Sequence, residues 1–130
     1  GYRTSCIMKY GYIVVSATLK LNKGNTDEIK ENIKELSQKR RMKQPLEYPS
    51  AGSTFKRPEG YFAAKLIEDA GLKGLSAGDA QVSEKHAGFV VNKGRATAKD
   101  VCELTDKIKE EVLKKSGVKL ELEVVKIGEF

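Results

Sequence analysis

The segment from Thr97 to Gly117 carries the clearest helical pattern in the sequence. Its apolar residues recur at helical spacing and form one stripe: Val101, Leu104, Ile108 and Val112. Thr97 and Asp100 resemble a capping box, with aspartate where glutamate is usual, and Gly117 is typical of a helix C-terminus. Such a helix is stable only when its stripe is buried, so the rest of the chain must supply an apolar partner surface.

The remaining segments predict two more helices and several strands. Asn25 is a candidate N-cap for a helix towards Lys43, and another helix is expected from about Tyr61 to Ala70, followed by Gly71. Strict alternation predicts a half-buried strand from Tyr12 to Leu21. Further strands are predicted at Ala80–Val82, Gly88–Val91 and Val118–Ile127. Together these elements indicate an α+β domain, a small sheet with helices packed on one face.

Length and charge restrict the function. The chain has 130 residues, of which 39% are hydrophobic, so one globular domain is expected, and no apolar run is long enough to span a membrane. The 24 lysines and arginines exceed the 18 acidic residues, and the net charge of +6 favours an anionic partner, either nucleic acid or a phosphorylated metabolite. The basic cluster Lys39–Lys43 is also typical of a helix C-terminus and has no aromatic residue nearby. Cys6 and Cys102 show neither a disulfide framework nor metal-ligand spacing, which favours the cytoplasm and predicts no metal site.

Two places in the sequence leave alternatives open. In "YPSAGSTFKRP", small residues around Gly52 lie between two prolines. This loop is either a tight turn with a positive φ at Gly52 or a segment that brings the backbone close to a ligand. Glu123 stands where the polar face of the last predicted strand turns apolar. It is either an ordinary surface glutamate or a partly buried carboxylate at a site.

Three longer motifs carry a family resemblance. The segments "QPLEYPSAGSTFKRPEGYFAAKLIEDAGLKG", "EKHAGFVVNKG" and "EVVKIGE" closely resemble the C-terminal part of bacterial UDP-N-acetylenolpyruvoylglucosamine reductases, the MurB family. The opening "GYRTS" is similar to the arginine motif that closes the flavin domain of that family. The resemblance covers essentially the whole chain. It implies a flavoprotein of peptidoglycan precursor synthesis that converts UDP-N-acetylglucosamine enolpyruvate to UDP-N-acetylmuramate with NADPH.

The resemblance also implies how the chain is divided. Residues 1–24 are expected to be the C-terminal remnant of the FAD-binding domain, and residues 25–130 the substrate-binding domain. The expected partners are the UDP-sugar substrate and a flavin domain of the same protein, with no nucleic acid and no membrane. The expected cofactors are FAD, bound mainly by that flavin domain, and NADPH as the reductant, so the segment alone is expected to be inactive.

Catalytic roles follow from the same resemblance. In the family, hydride from the reduced flavin adds to the enolpyruvyl group, and the neighbouring carbon, which carries the carboxylate, must then accept a proton. The proton-donating serine of the family maps onto Ser53, its arginine onto Arg3 and its glutamate onto Glu123. Gly52 and Tyr2 are the candidate residues next to the flavin.

Binding residues are assigned with alternatives. Lys56 and Arg57 either meet the UDP diphosphate or form a solvated loop pair, and His86 either contacts the substrate or lies at the surface. Relatives often carry arginine where this chain has Val125, so either Lys126 takes over that diphosphate contact or the contact is absent. The rival hypotheses are a small basic nucleic-acid-binding module and a purely structural domain.

Overall fold

A computed structural model of the protein describes residues 4–128. The chain divides into two compact units, up to Ile33 and from Lys34 onwards, which we describe separately. The first unit contains α1 (Cys6–Tyr10) and the start of α2 (Thr26–Lys43), which continues into the second. Asn25 Oδ1 accepts a hydrogen bond from the Asp27 amide at 2.9 Å, which confirms the predicted N-cap.

The predicted strand from Tyr12 to Leu21 is wrong for this structure. The segment has no regular secondary structure, and four of its apolar side chains are between 80% and 94% exposed: Ile13, Val15, Leu19 and Leu21. Alternation predicts which side chains share a face, but a strand forms only when another strand accepts and donates its backbone hydrogen bonds. None of the strands between residues 4 and 128 pairs with this segment.

The second unit contains one antiparallel sheet and two further helices. The strands are β1 (Ser50–Ser53), β2 (Ser76–Ala77), β3 (Ala80–Val82) and β4 (Phe89–Asn92). Their order in the sheet is β1-β4-β3-β2. The helices are α3 (Ala63–Asp69) and α4 (Ala98–Ser116). Because α4 contacts β2 and β3, and α3 packs against α4, the predicted α+β class is confirmed.

The core forms under α4. Its predicted stripe is inside, with Leu104, Ile108 and Val112 fully buried against Ile67 of α3 and Val82 of β3. The capping box at Thr97 and Asp100 is present, and Gly117 has the left-handed φ of 71° that ends the helix. None of the described helices is both long and apolar enough to cross a membrane.

The C-terminus of α3 also follows the sequence. Gly71 has a φ of 71° and donates its amide to the Glu68 carbonyl at 2.8 Å, while the Leu72 amide reaches the Ile67 carbonyl at 3.1 Å. These two bonds are the Schellman motif, in which glycine satisfies the last carbonyls of a helix.

The last predicted strand is reduced to a single bridge. Within Val118–Ile127, only Leu122 pairs, antiparallel to Phe55. Leu120 is buried as the alternation predicts, but Val125 and Ile127 are more than 80% exposed. The prediction of a continuous strand was wrong because the partner segment Thr54–Lys56 offers only a short stretch of backbone. Conversely, the predicted loop around Gly52 contains β1.

Candidate functional site

A bulge in β1 shapes the segment that carries Ser53. Ser50 pairs with Val91 and Ser53 with Phe89, so β1 holds one residue more than β4 over the same stretch. Gly52 lies inside the bulge with a φ of 86°, a conformation that an L-residue adopts only with strain. The small residues therefore form a bulged strand, and Gly52 has the positive φ that the first alternative for this loop required.

Thr54 fixes the end of the bulge. Its side chain is buried, its hydroxyl oxygen accepts a hydrogen bond from the Val90 amide at 3.0 Å, and its own amide donates to the Gly88 carbonyl at 2.8 Å. Ser53, one residue earlier, is exposed. The serine that we predicted to act on a ligand thus lies on the outside of an anchored segment.

A cleft of about 420 Å³ lies beside Ser53. It is lined by Arg40, Gln44, Leu46, Tyr48, Pro49, Ser50, Gly52, Ser53 and Phe89. Arg40 comes from the last turn of α2 and donates from Nε to Gln44 Oε1 at 3.0 Å. A guanidinium, hydroxyls and a tyrosine around one concave surface suit an anionic, hydroxyl-rich ligand.

Glu123 lies on the segment that pairs with the residues after Ser53. Its amide donates to the Thr54 carbonyl at 2.9 Å, its side chain is half-buried and its Oε2 atom is shielded from solvent. Glu121 lies opposite Lys56, farther along the chain from Ser53. The backbone thus brings Glu123 to the residue next to Ser53, and the burial matches the second alternative for this glutamate.

Lys56 and Arg57 both have partners within the protein. Lys56 Nζ forms an ion pair with Glu121 Oε2 at 3.2 Å. Arg57 donates from Nε to the Tyr61 carbonyl at 3.2 Å, and its guanidinium lies 3.9 Å from the centre of the Phe62 ring. Neither residue lines the cleft beside Ser53.

His86 lies close to the cleft through Phe89. Its ring makes an edge-to-face contact with Phe89 at 4.9 Å between centroids. Its Nδ1 atom accepts a hydrogen bond from the Gly88 amide at 3.1 Å. In the neutral tautomer whose Nδ1 accepts this bond, Nε2 carries the proton and can donate a hydrogen bond.

Lys126 lies at a different cavity, which has a volume of about 600 Å³. Residues of β1, β4, α4 and the C-terminal segment line it, and most of them are apolar; Val125 and Cys102 are among them. Because this cavity contains neither Ser53 nor Glu123, we do not assign the predicted chemistry to it. Arg3 and Tyr2 lie outside the described residues.

The sequence analysis assigned no role to most of the residues that line the cleft beside Ser53, among them Arg40, Gln44 and Tyr48. It interprets the basic cluster either as a contact for an anionic partner or as the end of a helix, and Arg40 does lie in the last turn of α2. Nothing in the spacing of these residues indicates that the helix end meets β1. Among residues 4–128, no cluster of histidine, cysteine, aspartate and glutamate has the geometry of a metal site.

Comparisons with known proteins bear on this site. The model of the family described as UDP-N-acetylenolpyruvoylglucosamine reductase, C-terminal domain, matches residues 44–127. The UDP-N-acetylenolpyruvoylglucosamine reductase of Agathobacter rectalis is 65% identical over 130 residues, which are 100% of this chain and 41% of the relative. That of Clostridium tetani is 59% identical over 129 residues, 99% of this chain and 42% of the relative.

A solved structure agrees with these sequences. The crystal structure of UDP-N-acetylenolpyruvylglucosamine reductase (MurB) from Thermus caldophilus matches with a TM-score of 0.65 and 40% identity, over 79% of this chain and 36% of that one. The chain thus spans about two fifths of the length of its curated relatives. None of these matches favours the nucleic-acid-binding module. Because the family model matches most of the chain, including β1, Ser53 and Glu123, the chain belongs to the family of C-terminal domains of UDP-N-acetylenolpyruvoylglucosamine reductases.

Proposed function

We propose that this chain is the substrate-binding part of an oxidoreductase that reduces UDP-N-acetylglucosamine enolpyruvate to UDP-N-acetylmuramate, a step of peptidoglycan precursor synthesis. The observation that carries the proposal is the position of Ser53, exposed on an anchored bulge beside a cleft that also holds Arg40. Its relatives bear the name of this reductase. In this proposal residues 1–24 belong to the flavin domain and residues 25–130 to the substrate domain.

Ser53 is the proton donor in the proposed reaction. When bound, the flavin supplies the hydride that adds to the enolpyruvyl double bond. The adjacent carbon gains electron density, and the Ser53 hydroxyl gives it a proton. A serine hydroxyl is a weak acid, so the site has to exclude water and hold the carbon within hydrogen-bonding distance.

Glu123 and Arg3 support that proton transfer. Glu123 is half-buried on the segment that pairs with Thr54. As a carboxylic acid it can donate to the carboxylate of the substrate, or it can return a proton to Ser53 after the transfer. Arg3 is the cation proposed to neutralise the charge that develops on the enolpyruvyl carboxylate.

We rank the proposed anion contacts by their position relative to the cleft. Arg40 lines the cleft and is the first candidate for the diphosphate. His86 offers a donor near Phe89, whereas Lys56, Arg57 and Lys126 would have to leave their present positions to reach the cleft. We retain them as weaker candidates for the substrate.

FAD and NADPH are the proposed cofactor and reductant. The backbone at Gly52 leaves open space for an approaching group, because a Cβ atom added there would meet no atom within 4 Å. Tyr2 is the second proposed contact, and the remaining flavin contacts are assigned to a flavin domain of the same protein. Cysteines 6 and 102 are unpaired thiols, which supports a cytoplasmic location.

The test measures turnover in the full-length protein that carries this sequence. With FAD bound, we expect NADPH to reduce the flavin once in the absence of the enolpyruvyl UDP-sugar, and to be oxidised continuously, one NADPH for each substrate reduced, when that sugar is present. Failure of the flavin-loaded protein to consume that substrate would refute the proposal. Salt-dependent binding of generic oligonucleotides without any response to UDP-sugars would instead support the nucleic-acid-binding module.

A further inference from the structure

Lys85 bonds two points of the segment that forms one side of the cleft. We call residues 40–49 the cleft rim, since Arg40, Gln44, Leu46, Tyr48 and Pro49 all line the cleft. Lys85 Nζ donates to the Arg41 carbonyl at 2.8 Å and lies 3.4 Å from Glu47 Oε2. The ammonium group of Lys85, from a loop far along the chain, therefore contacts the rim both at the end of α2 and at Glu47.

The Arg41 carbonyl is one of the groups that a helix end leaves without a partner. The Gln44 amide donates a hydrogen bond to the Arg40 carbonyl at 2.9 Å, and Lys85 Nζ donates to the Arg41 carbonyl, the next along the helix. A protonated lysine makes a charge-assisted bond there and also opposes the negative end of the helix dipole. The position at which α2 ends, and with it the position of Arg40, is thus tied to Lys85.

The loop that carries Lys85 is itself anchored. The buried Ser83 accepts hydrogen bonds through its hydroxyl from the amides of Lys85 and His86, both at 3.2 Å. These backbone bonds give Lys85 a defined position. A second lysine also contacts the rim, since Lys93 Nζ lies 3.6 Å from the centre of the Tyr48 ring.

We propose that Lys85 is a positioning residue for substrate binding, which holds the cleft rim so that Arg40 faces the anionic part of the substrate beside Ser53. The inference rests on the proposed function and adds to it a residue that does not itself touch the substrate. Pro45 is fully buried, so the rim remains packed against the protein without Lys85. Loss of Lys85 therefore loosens the rim and leaves the fold intact.

The experiment replaces Lys85 by methionine in the full-length protein and measures kcat and KM for the enolpyruvyl UDP-sugar. We expect KM to rise about tenfold and kcat to stay within about twofold, the pattern of lost binding without lost chemistry. The matched control is Lys73→Met: Lys73 and Lys85 are each 35% exposed, and their glutamate partners, Glu68 and Glu47, are 49% and 51% exposed. The control variant should keep the wild-type KM to within about twofold.

Two further variants separate positioning from general stabilisation. Lys85→Arg retains a cation that can reach both acceptors, so most of the wild-type KM should return. If Lys85 acts through Arg40, the double variant Lys85→Met, Arg40→Gln should have the same KM as Arg40→Gln alone. Additive effects of the two substitutions would overturn the inference.

Failure of the inference and failure of the proposed function give different results. A wild-type protein that consumes no enolpyruvyl substrate refutes both. An active wild-type protein whose Lys85→Met variant keeps its KM, or whose Lys73→Met variant raises KM as much, refutes the inference alone. Should Lys85→Met not yield folded protein, Glu47→Leu removes only one of the two bonds, and a KM equal to that of the wild type contradicts the proposal.

Discussion

The backbone conformation of Gly52 determines how the next residue, Ser53, pairs in the sheet. The extra residue in β1 is accommodated because Gly52 adopts a φ of 86°, and Ser53 then resumes pairing at Phe89. A bulge changes the direction of side chains along a strand. The conformational freedom of Gly52 therefore matters for the site as well as for the fold.

Replacing Gly52 by alanine tests this role. We expect a loss of about 1–2 kcal/mol in the free energy of unfolding, the usual cost of a left-handed conformation for an L-residue, and a clear loss of turnover. Gly117→Ala is the matched control, since Gly117 has a φ of 71° and, like Gly52, open space around its Cβ position. Urea unfolding should show a similar loss for both variants, whereas turnover should fall only for Gly52→Ala. Equal turnover in the two variants would contradict the proposed role of the bulge.

The Ser53→Ala variant separates the two half-reactions. Reduction of the flavin by NADPH needs no proton from Ser53, so its rate should stay near that of the wild type. Reoxidation by the enolpyruvyl substrate should slow by roughly 10² to 10⁴, the usual contribution of a positioned general acid. Stopped-flow measurement of both half-reactions, with Ser76→Ala as the hydroxyl control on β2, checks this. Slow flavin reduction combined with normal reoxidation would exclude Ser53 as the donor.

The two glutamates of the C-terminal segment provide a matched pair. Glu123→Gln should slow reoxidation by the substrate as Ser53→Ala does, because Glu123 is half-buried and its backbone pairs with Thr54, the residue after Ser53. Glu121 makes an exposed ion pair with Lys56, and such pairs contribute about 0–1 kcal/mol to stability, so Glu121→Gln should leave both half-reactions near normal. The same stopped-flow experiment would contradict the assignment if Glu121→Gln had the larger effect.

At the scale of the elements, the start of α4 is stabilised by the capping box in its first turn. The Thr97 amide donates to Asp100 Oδ2 at 2.7 Å, and the Asp100 amide donates to the Thr97 hydroxyl oxygen at 3.1 Å. The hydrogen bond from the Thr97 backbone to the Asp100 carboxyl, and then the interaction of that carboxyl with the Thr97 side chain, hold the pKa of Asp100 below its ordinary value of 3.8. Asp100 also lies so close to Gly78 that a Cβ atom there would come within 2.7 Å of the Asp100 carboxyl group.

The capping box predicts a pH dependence of stability. Since the pKa of Asp100 is lower in the folded state, its contribution is present above pH 3.8 and is lost as the pH falls through the folded-state value. Asp100→Asn should therefore destabilise the protein at neutral pH, and the difference from wild type should shrink below pH 3.8. Urea unfolding at neutral and acidic pH measures this difference, with Thr97→Ser as the control that keeps the hydroxyl. A difference that is constant across pH would show that the charge of Asp100 is unimportant.

At the scale of the whole molecule, the two units differ in how much apolar surface they bury. The core residues all lie in the second unit, from Phe55 to Leu120. In the first unit, the apolar side chains of residues 12–21 are exposed. The second unit therefore has the means to fold as a domain, and the chain covers only about two fifths of its relatives.

The 130-residue chain by itself should bind no FAD tightly and should not oxidise NADPH, because the flavin contacts are proposed to lie mainly in a flavin domain. Binding of the enolpyruvyl UDP-sugar should be weak for the same reason. An absorbance spectrum recorded beside the intact mass of 14.4 kDa checks the first point, and calorimetry checks the second. A yellow preparation with one flavin per chain would contradict this proposal about the division of the site.

The sequence by itself determined helices α2, α3 and α4, the two short central strands and the family, whereas α1 was not predicted. Helix α4, the end of α3 and strands β3 and β4 depend on neighbours within a few residues: apolar spacing, a capping box and a glycine with positive φ. Ser53 and Glu123 were named from motifs alone. Tertiary structure decided everything that requires two distant segments to meet. Whether residues 12–21 pair, how long the last strand runs, and which residues accompany Ser53 all depend on partners that local spacing does not specify. The strand β1 exists because Val91 and Phe89 pair with it, and Arg40 belongs to the cleft because α2 ends there, tied to Lys85.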